Sequence, residues 1–286
     1  MNGFDLSDPL VPRQLIRAGG PPRDGIPSID KPRFMSAASA SSLRDTDRVL
    51  GVTVDGLAKA YPVKILNYHE IVNDRFGELP VAVTFCPLCG SGVAFDARVN
   101  GEAREFGVSG LLYNSDVLMY DRASDSLWSQ ILGQAVTGPA RGTKLRTVPV
   151  RHTTWAEWRR RHPATLALVE PRSTGRNYNV DPYVGYAESA QIWAPVAHRD
   201  RRYPAKSVVV GAVVNGKARA WPFAELPAND NFLIDSVDDK QVRLEYDHGA
   251  QAAALLDEEG REIPSFTAFW FAWVAFHPDT SIYAGR

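Results

Sequence analysis

From residue 48 onward, apolar positions fall in short alternating or β-branched runs, the pattern of half-buried strands rather than of long helices. "RVLGVTVDGLAKAYP" (48–62) predicts two strands joined at Asp55-Gly56, a dipeptide suited to a two-residue hairpin turn. "PVAVTF" (80–85) predicts a strand leading straight into Cys86, and "GVAFDARVNGEAREFGV" (92–108) a hairpin turning at Asn100-Gly101. "VLMYDRASDSLWSQ" and "AVTGPARGTKLRTVPV" supply further short strands and turns. Helical spacing occurs in two brief stretches before residue 170. "VKILNYHEIVND" places Ile65, Tyr68 and Val72 on one face, and "TTWAEWRRRHP" starts at a Thr cap (Thr153 or Thr154) and stops at Pro163. Residues 1–47 are broken by Pro and Gly. With Ile26, Ile29 and Phe34 spaced between turns, they predict an extended arm lying over the body of the protein.

The pattern recurs. "VLGVTVDGLAKAYPVKIL" (49–66) aligns with "VVGAVVNGKARAWPFAEL" (209–226), pairing Gly51 with Gly211, Gly56 with Gly216, Ala60 with Ala220 and Pro62 with Pro222. The terminal "FTAFWFAWVAFHPDT" echoes "TTWAEWRRRHPAT". The fold expected is therefore α+β and β-rich: two tandem repeats of a mostly antiparallel β unit, each ending in a helix, behind an extended N-terminal arm. The expected boundaries are 1–47 for the arm, 48–170 for the first repeat, 171–207 for a connecting loop and 208–286 for the second repeat.

The alignment also isolates chemistry. Cys86 and Cys89 are the only cysteines in the chain, in "TFCPLCGSGVAF", and the aligned "LEYDHGAQAAAL" has none. "NYHEIVND" faces "PANDNFLI", so His69 and Glu70 vanish along with the thiols. Residues needed only to fold the unit would be needed in both copies, so their presence in one argues for a site. A Cys-Pro-x-Cys-Gly turn presents two thiolates to one metal ion. A thioredoxin-like redox pair requires a helix after the first Cys, and Gly-Ser-Gly-Val follows here instead. A disulfide within so small a loop ranks last. The third metal ligand expected is His69, with Glu70 as a further ligand or proton carrier, although on a helix the two point about 100° apart. A soft Met119 would favour copper, and two thiolates with imidazole suit copper or zinc.

The segment 106–130 has no counterpart in the second copy and gathers Ser109, Tyr113, Asn114, Ser115, Asp116 and Tyr120. It is expected to wall a pocket, with Asp116 orienting His69 or moving a proton, and Tyr113 and Asn114 beside it. "RNYNVDPYVGY" (176–186) is a second Tyr-rich loop that could cap the site or stabilise the junction of the repeats. Composition narrows the partners. A net charge of -1 gives no support to nucleic acid or an anionic membrane as partner. No run of about 18 apolar residues marks a membrane span, and no signal peptide is visible, so a cytoplasmic location is the expectation. Oligomeric state is not readable.

Together "NYHEIVND", "VAVTFCPLCGSGVAFD", "SGLLYNSDVLMYDR", "SLWSQ" and "DPYVGY" resemble the uncharacterised prokaryotic family called domain of unknown function 3179. The likeness runs from about residue 20 to the last helix. It implies that His69, Cys86, Cys89, Asn114 and Asp116 share one signature, and implies no activity. The function expected is a metalloenzyme holding one transition-metal ion, copper or zinc, at Cys86, Cys89 and His69. Asp116, Tyr113, Glu70 and Asn114 serve the chemistry, with oxidoreductase action on a small organic substrate. The alternatives are a metal-binding or metal-delivery protein without turnover, and a structural zinc knuckle in a binding module.

Overall fold

A computed structural model describes residues 1–171 and 175–285; positions 172–174 of the expected connecting loop, and the last residue of the second repeat, lie outside them. The described residues carry three helices of seven residues each: α1 (Val63–His69), α2 (Trp155–Arg161) and α3 (Trp270–Phe276). None is long and apolar enough to cross a membrane.

The chain divides into two compact units. The first comprises residues 1–33, 64–148 and 169–197, the second 34–63, 149–168 and 198–286. The first holds two sheets. One has the strand order Ile16–Ala18, Phe106–Tyr113, Asp116–Asp121, Leu127–Ser129, Gln134–Ala135. The other runs Thr147–Val148, Ser91–Asp96, Leu79–Cys86, Ile71–Phe76. A two-stranded ribbon, Arg98–Val99 with Glu102–Ala103, carries the predicted turn at Asn100-Gly101. The second unit holds three sheets. They are built on the hairpins Arg48–Val54/Leu57–Pro62 and Val208–Val214/Lys217–Pro222, and on the meander Phe232–Val237, Lys240–Asp247, Ala252–Leu256, Glu262–Ile263.

These sheets correct the expected architecture. Five sheets of four or five strands, with three short helices, replace two tandem β units each closed by a helix. What the two aligned stretches share is local. In both hairpins the glycine pairs with an alanine in the same register, Gly51 with Ala60 and Gly211 with Ala220. A tryptophan lies flat on each glycine: a Cβ at Gly51 would stand 2.2 Å from Trp158, and one at Gly211 2.3 Å from Trp273. Each tryptophan also donates its indole N–H to a threonine, Trp158 to Thr165 at 2.8 Å and Trp273 to Thr280 at 2.9 Å. The matched helices are thus short carriers for a tryptophan that seals one sheet, not the closing element of a half-molecule. Sequence periodicity finds such a carrier easily and overweights it.

In the first unit the chain from residue 106 to 135 forms strands of a sheet, and its Val108, Leu111, Leu112 and Val117 wall a cavity with apolar rather than polar side chains. The hairpin Phe106–Tyr113/Asp116–Asp121 turns at Asn114 (φ 52°) and Ser115 (φ 69°) and carries a register shift between Val108 and Leu111. The shift is made at Gly110, whose φ of 72° and approach to the Pro21 carbonyl, 2.2 Å from a built Cβ, leave room for no side chain. The N-terminal segment packs into this unit. Ile16–Ala18 is an edge strand beside Phe106–Tyr113, and Ile29 bridges Val72.

The tryptophan seal makes a direct prediction. Gly51→Ala must force the Trp158 ring off its rotamer, so urea denaturation should show a loss of about 1–3 kcal/mol. Unchanged stability would mean that the contact yields freely.

Candidate functional site

The site forms where two tight turns of the first unit meet. Strand Leu79–Cys86 ends at Cys86, the Pro87-Leu88 turn follows, and the chain returns as Ser91–Asp96, with Cys86 paired to Ser91. Cys89 donates its backbone N–H to the Cys86 carbonyl at 3.2 Å, closing the knuckle. Opposite stands the Asn114-Ser115 turn. A two-residue hairpin of type I′ needs positive φ at both central residues, as at Asn114 and Ser115, and Asn is among the residues that tolerate it best. The thiol hairpin is clamped to the segment that follows strand Leu127–Ser129. Ser91 Oγ donates to Gln130 Oε1 at 2.7 Å, and Gln130 Nε2 donates back to the Ser91 carbonyl at 3.1 Å. Both thiols then point at the Ser115 carbonyl, Cys89 Sγ at 3.4 Å and Cys86 Sγ at 3.8 Å. No disulfide joins them.

Asp116 completes the cluster. Its carboxyl and the two sulfurs lie within 4.8 Å of one another, all three buried. Asp116 Oδ2 accepts from Ser129 Oγ at 3.2 Å and from the Ile131 N–H at 3.1 Å, whereas Oδ1 is buried without a hydrogen-bond partner. Ser115 Oγ is likewise buried and unpartnered. A buried carboxylate oxygen without a donor is costly, of the order of a few kcal/mol, and such atoms mark an absent ligand or a strained site. Burial pushes the Asp116 carboxyl up to about 7, even though its hydrogen bonds act to hold it down. Burial, and secondarily the charge of Asp116, pushes Glu70 up to about 8.

Glu70 follows α1 in the left-handed region, φ 58°, with its N–H bonded to the Leu66 carbonyl at 2.7 Å. A non-glycine residue there is strained, and Glu70 lines the cavity beside Cys86. That cavity, about 90 Å³, is lined by Glu70, Cys86, Leu111, Leu112, Tyr183 and Trp193 among others. The loop bearing Tyr183, Tyr186 and Trp193 packs its rings together, Tyr186 on Trp193 at 4.7 Å between centroids. It is tied down by the Ala197 N–H donating to Asn114 Oδ1 at 2.8 Å, and by Asn67 Nδ2 donating to Asp181 at 3.0 Å. Burial raises the Tyr183 phenol, followed by the charges of Glu70 and Cys86; burial also raises Tyr186, followed by Cys89 and Cys86.

The structure does not bring His69 to the sulfurs as expected; the group of three possible metal-holding side chains among the described residues has Asp116 in its place. His69 Nδ1 contacts the Pro27 carbonyl at 2.7 Å, and a carbonyl only accepts, so Nδ1 carries the proton. Nε2 therefore accepts from the Tyr178 hydroxyl, also at 2.7 Å, and no ring lone pair is left for a metal. Burial lowers the His69 pKa, in keeping with a neutral ring. Asp116 consequently does not orient His69 but stands beside the thiols itself. Tyr113 pairs directly across from Asp116 and is buried, so it lies on the same sheet face; burial raises its phenol. Asn114 holds the loop rather than facing the sulfurs. Met119 is three residues along the strand from Asp116 and so falls on the opposite face. Sequence reasoning named the loop 176–186 but missed Trp193, whose position depends on contacts that no local pattern reveals.

The site therefore belongs to a β-rich protein with a buried thiol–carboxyl centre open to a small cavity. A family model, Protein of unknown function (DUF3179), matches residues 23–280, and the chain belongs to that family. No curated protein and no solved structure matches it.

The raised carboxyls predict a pH dependence. Both sit above their ordinary values of 3.8 and 4.5, so between about pH 4 and 8 the folded metal-free chain holds protons that the unfolded chain has lost. Stability is then greatest at the acid end of that window and falls as pH rises through it. Chelator-treated protein should melt at lower temperature at pH 8.5 than at pH 6, and Glu70→Gln should flatten part of that decline. Parallel curves for the two proteins would remove Glu70 from the account.

Proposed function

We infer that Cys86, Cys89 and Asp116 hold one transition-metal ion, which keeps a coordination position facing the cavity at Glu70, as in a metalloenzyme acting on a small molecule. The observation that carries this reading is Asp116 Oδ1, buried without a partner in a cluster with two buried thiols. A metal ion would supply the missing partner and compensate the negative charge. Tetrahedral zinc at about 2.3 Å from sulfur and 2.0 Å from oxygen spaces its ligands by roughly 3.5–3.8 Å, so the cluster needs only a small contraction to close on an ion. Three protein ligands and one exchangeable position form the arrangement of a catalytic zinc.

The donor set favours zinc over copper. A carboxylate replaces the expected imidazole, and the soft Met119 thioether lies on the other face of its strand, so nothing in the set selects cuprous ion. Oxidoreductase chemistry, expected on the copper alternative, loses its support accordingly. When bound, zinc would act as a Lewis acid at the cavity wall. The chain's own residues would then divide the work: the sulfurs and Asp116 coordinate, and Glu70 exchanges protons with whatever occupies the cavity. Tyr183 and Trp193 shield the site from water.

Elemental analysis of purified protein tests this reading. About one zinc per chain is expected in the wild type, and much less in Cys86→Ser and in Asp116→Asn. His69→Phe should retain the metal. Equal metal content in wild type and Cys86→Ser would refute the assignment, and loss of metal in a folded His69→Phe would return the imidazole to the ligand set.

A further inference from the structure

The cavity beside Cys86 carries more information than its position. At about 90 Å³ it is small. A dry protein cavity of 150 Å³ holds benzene, so this one holds a guest of roughly four non-hydrogen atoms. Its walls are apolar over most of their extent, through Pro21, Ile26, Leu88, Val108, Leu111 and Val117. The ionisable groups among its lining residues are all acids, Glu70, Cys86 and Tyr183, with no Lys, Arg or His among them. Two aromatic residues, Tyr183 and Trp193, stand at the same wall, with ring centroids 6.0 Å apart. A carboxylate or phosphate guest would meet acid groups and no counter-charge. A cation would meet the Glu70 carboxyl, whose ionised form it would stabilise, and two aromatic rings, each of which attracts it most strongly when water is excluded.

We propose that this cavity is a subsite for a small primary alkylammonium group. Its nitrogen lies at the Glu70 carboxylate and its alkyl body against Leu111, Leu112 and Val117, beneath Tyr183 and Trp193. The subsite deepens the metal reading, since Cys86 is both a wall of the cavity and a ligand, but its charge preference rests on Glu70 and the aromatic rings. Because the nitrogen must leave water to enter, the guest arrives with one short apolar tail and no second charge. The cavity volume of about 90 Å³ sets the upper limit on the guest's length.

Isothermal titration on the full chain, at fixed ionic strength in potassium chloride, tests the subsite with three probes of matched size: n-propylamine hydrochloride, 1-propanol and sodium acetate. Each is titrated into chelator-treated and into zinc-loaded protein. Propylammonium is expected to bind at least tenfold more tightly than 1-propanol or acetate. Glu70→Gln should abolish that preference while leaving 1-propanol binding unchanged. Leu112→Trp, which fills the cavity from the sheet side, should weaken propylammonium and 1-propanol at least tenfold at unchanged zinc content. Acetate binding as tightly as propylammonium, or propylammonium binding undiminished in Leu112→Trp, would overturn the proposal. If Glu70→Gln does not fold, the probe ranking in wild type and the Leu112→Trp result decide it. Zinc uptake without amine preference defeats the subsite alone; amine preference without zinc uptake defeats the metal reading alone.

Discussion

A single oxygen atom constrains the site. Asp116 Oδ1 is buried beside two thiols and has no hydrogen-bond partner among the described residues. Interiors seldom leave a carboxylate oxygen in that state, because desolvation is not returned by any hydrogen bond. The surrounding structure nonetheless fixes the atom in place. The left-handed Asn114-Ser115 turn delivers Asp116, Ser129 and the Ile131 amide hold its other oxygen, and the Ser91–Gln130 clamp keeps the thiol knuckle opposite. The turn itself has a cost, two non-glycine residues at positive φ. These features converge on one buried oxygen, the atom that the proposed metal ion would satisfy.

The second unit sharpens the point by contrast. Its strand Lys240–Asp247 reaches the position aligned with the thiol knuckle, and there the chain turns through Asp247, His248 and Gly249 without cysteine. Asp247 Oδ1 accepts the Ala250 N–H at 2.8 Å, so this carboxylate closes its own turn. Arg48 caps the same turn by donating to the Ala250 and Gln251 carbonyls, the latter at 3.1 Å. Here the polar groups of the turn are satisfied within the protein. The same sheet geometry can thus be completed by hydrogen bonds alone, so the unsatisfied arrangement at Cys86 is not a requirement of the strand order.

Much of this was legible in the sequence, and the failures have a common cause. The hairpin turns at Asp55-Gly56 and Asn100-Gly101, the Thr154 cap of α2 and the strand ending at Cys86 all follow from residues a few positions apart. The thiol pair stood out because the aligned copy lacks it. His69 did not read correctly because its partners, Pro27 and Tyr178, lie 42 and 109 residues away, and nothing near position 69 announces that both ring nitrogens are taken. Asp116 was singled out as a carboxylate of interest but given a supporting role, since its distance from the sulfurs depends on how two sheets meet. The tandem-repeat architecture failed for the same reason: the aligned hairpins share only a local pattern, and the pairing of the strands from residue 106 to 135 into a further sheet cannot be read from periodicity.

Placement of His69 also explains why the loop over the site is ordered. The ring anchors Tyr178, while Tyr68, on the same helix, donates its hydroxyl to the Val180 carbonyl at 2.8 Å and Asn67 holds Asp181. Three successive residues of α1 therefore grip the loop segment from Tyr178 to Asp181, which leads directly to Tyr183 at the cavity wall. Glu70, the next residue, turns inward to that same cavity. The helix is too short to be stable alone, seven residues against the roughly dozen an isolated helix needs, so its order derives from these contacts and from the burial of Ile65 and Leu66. The signature "NYHE" is then one device. Three side chains fasten the roof and the fourth faces what lies beneath it, so His69 belongs to the site by position rather than by coordination.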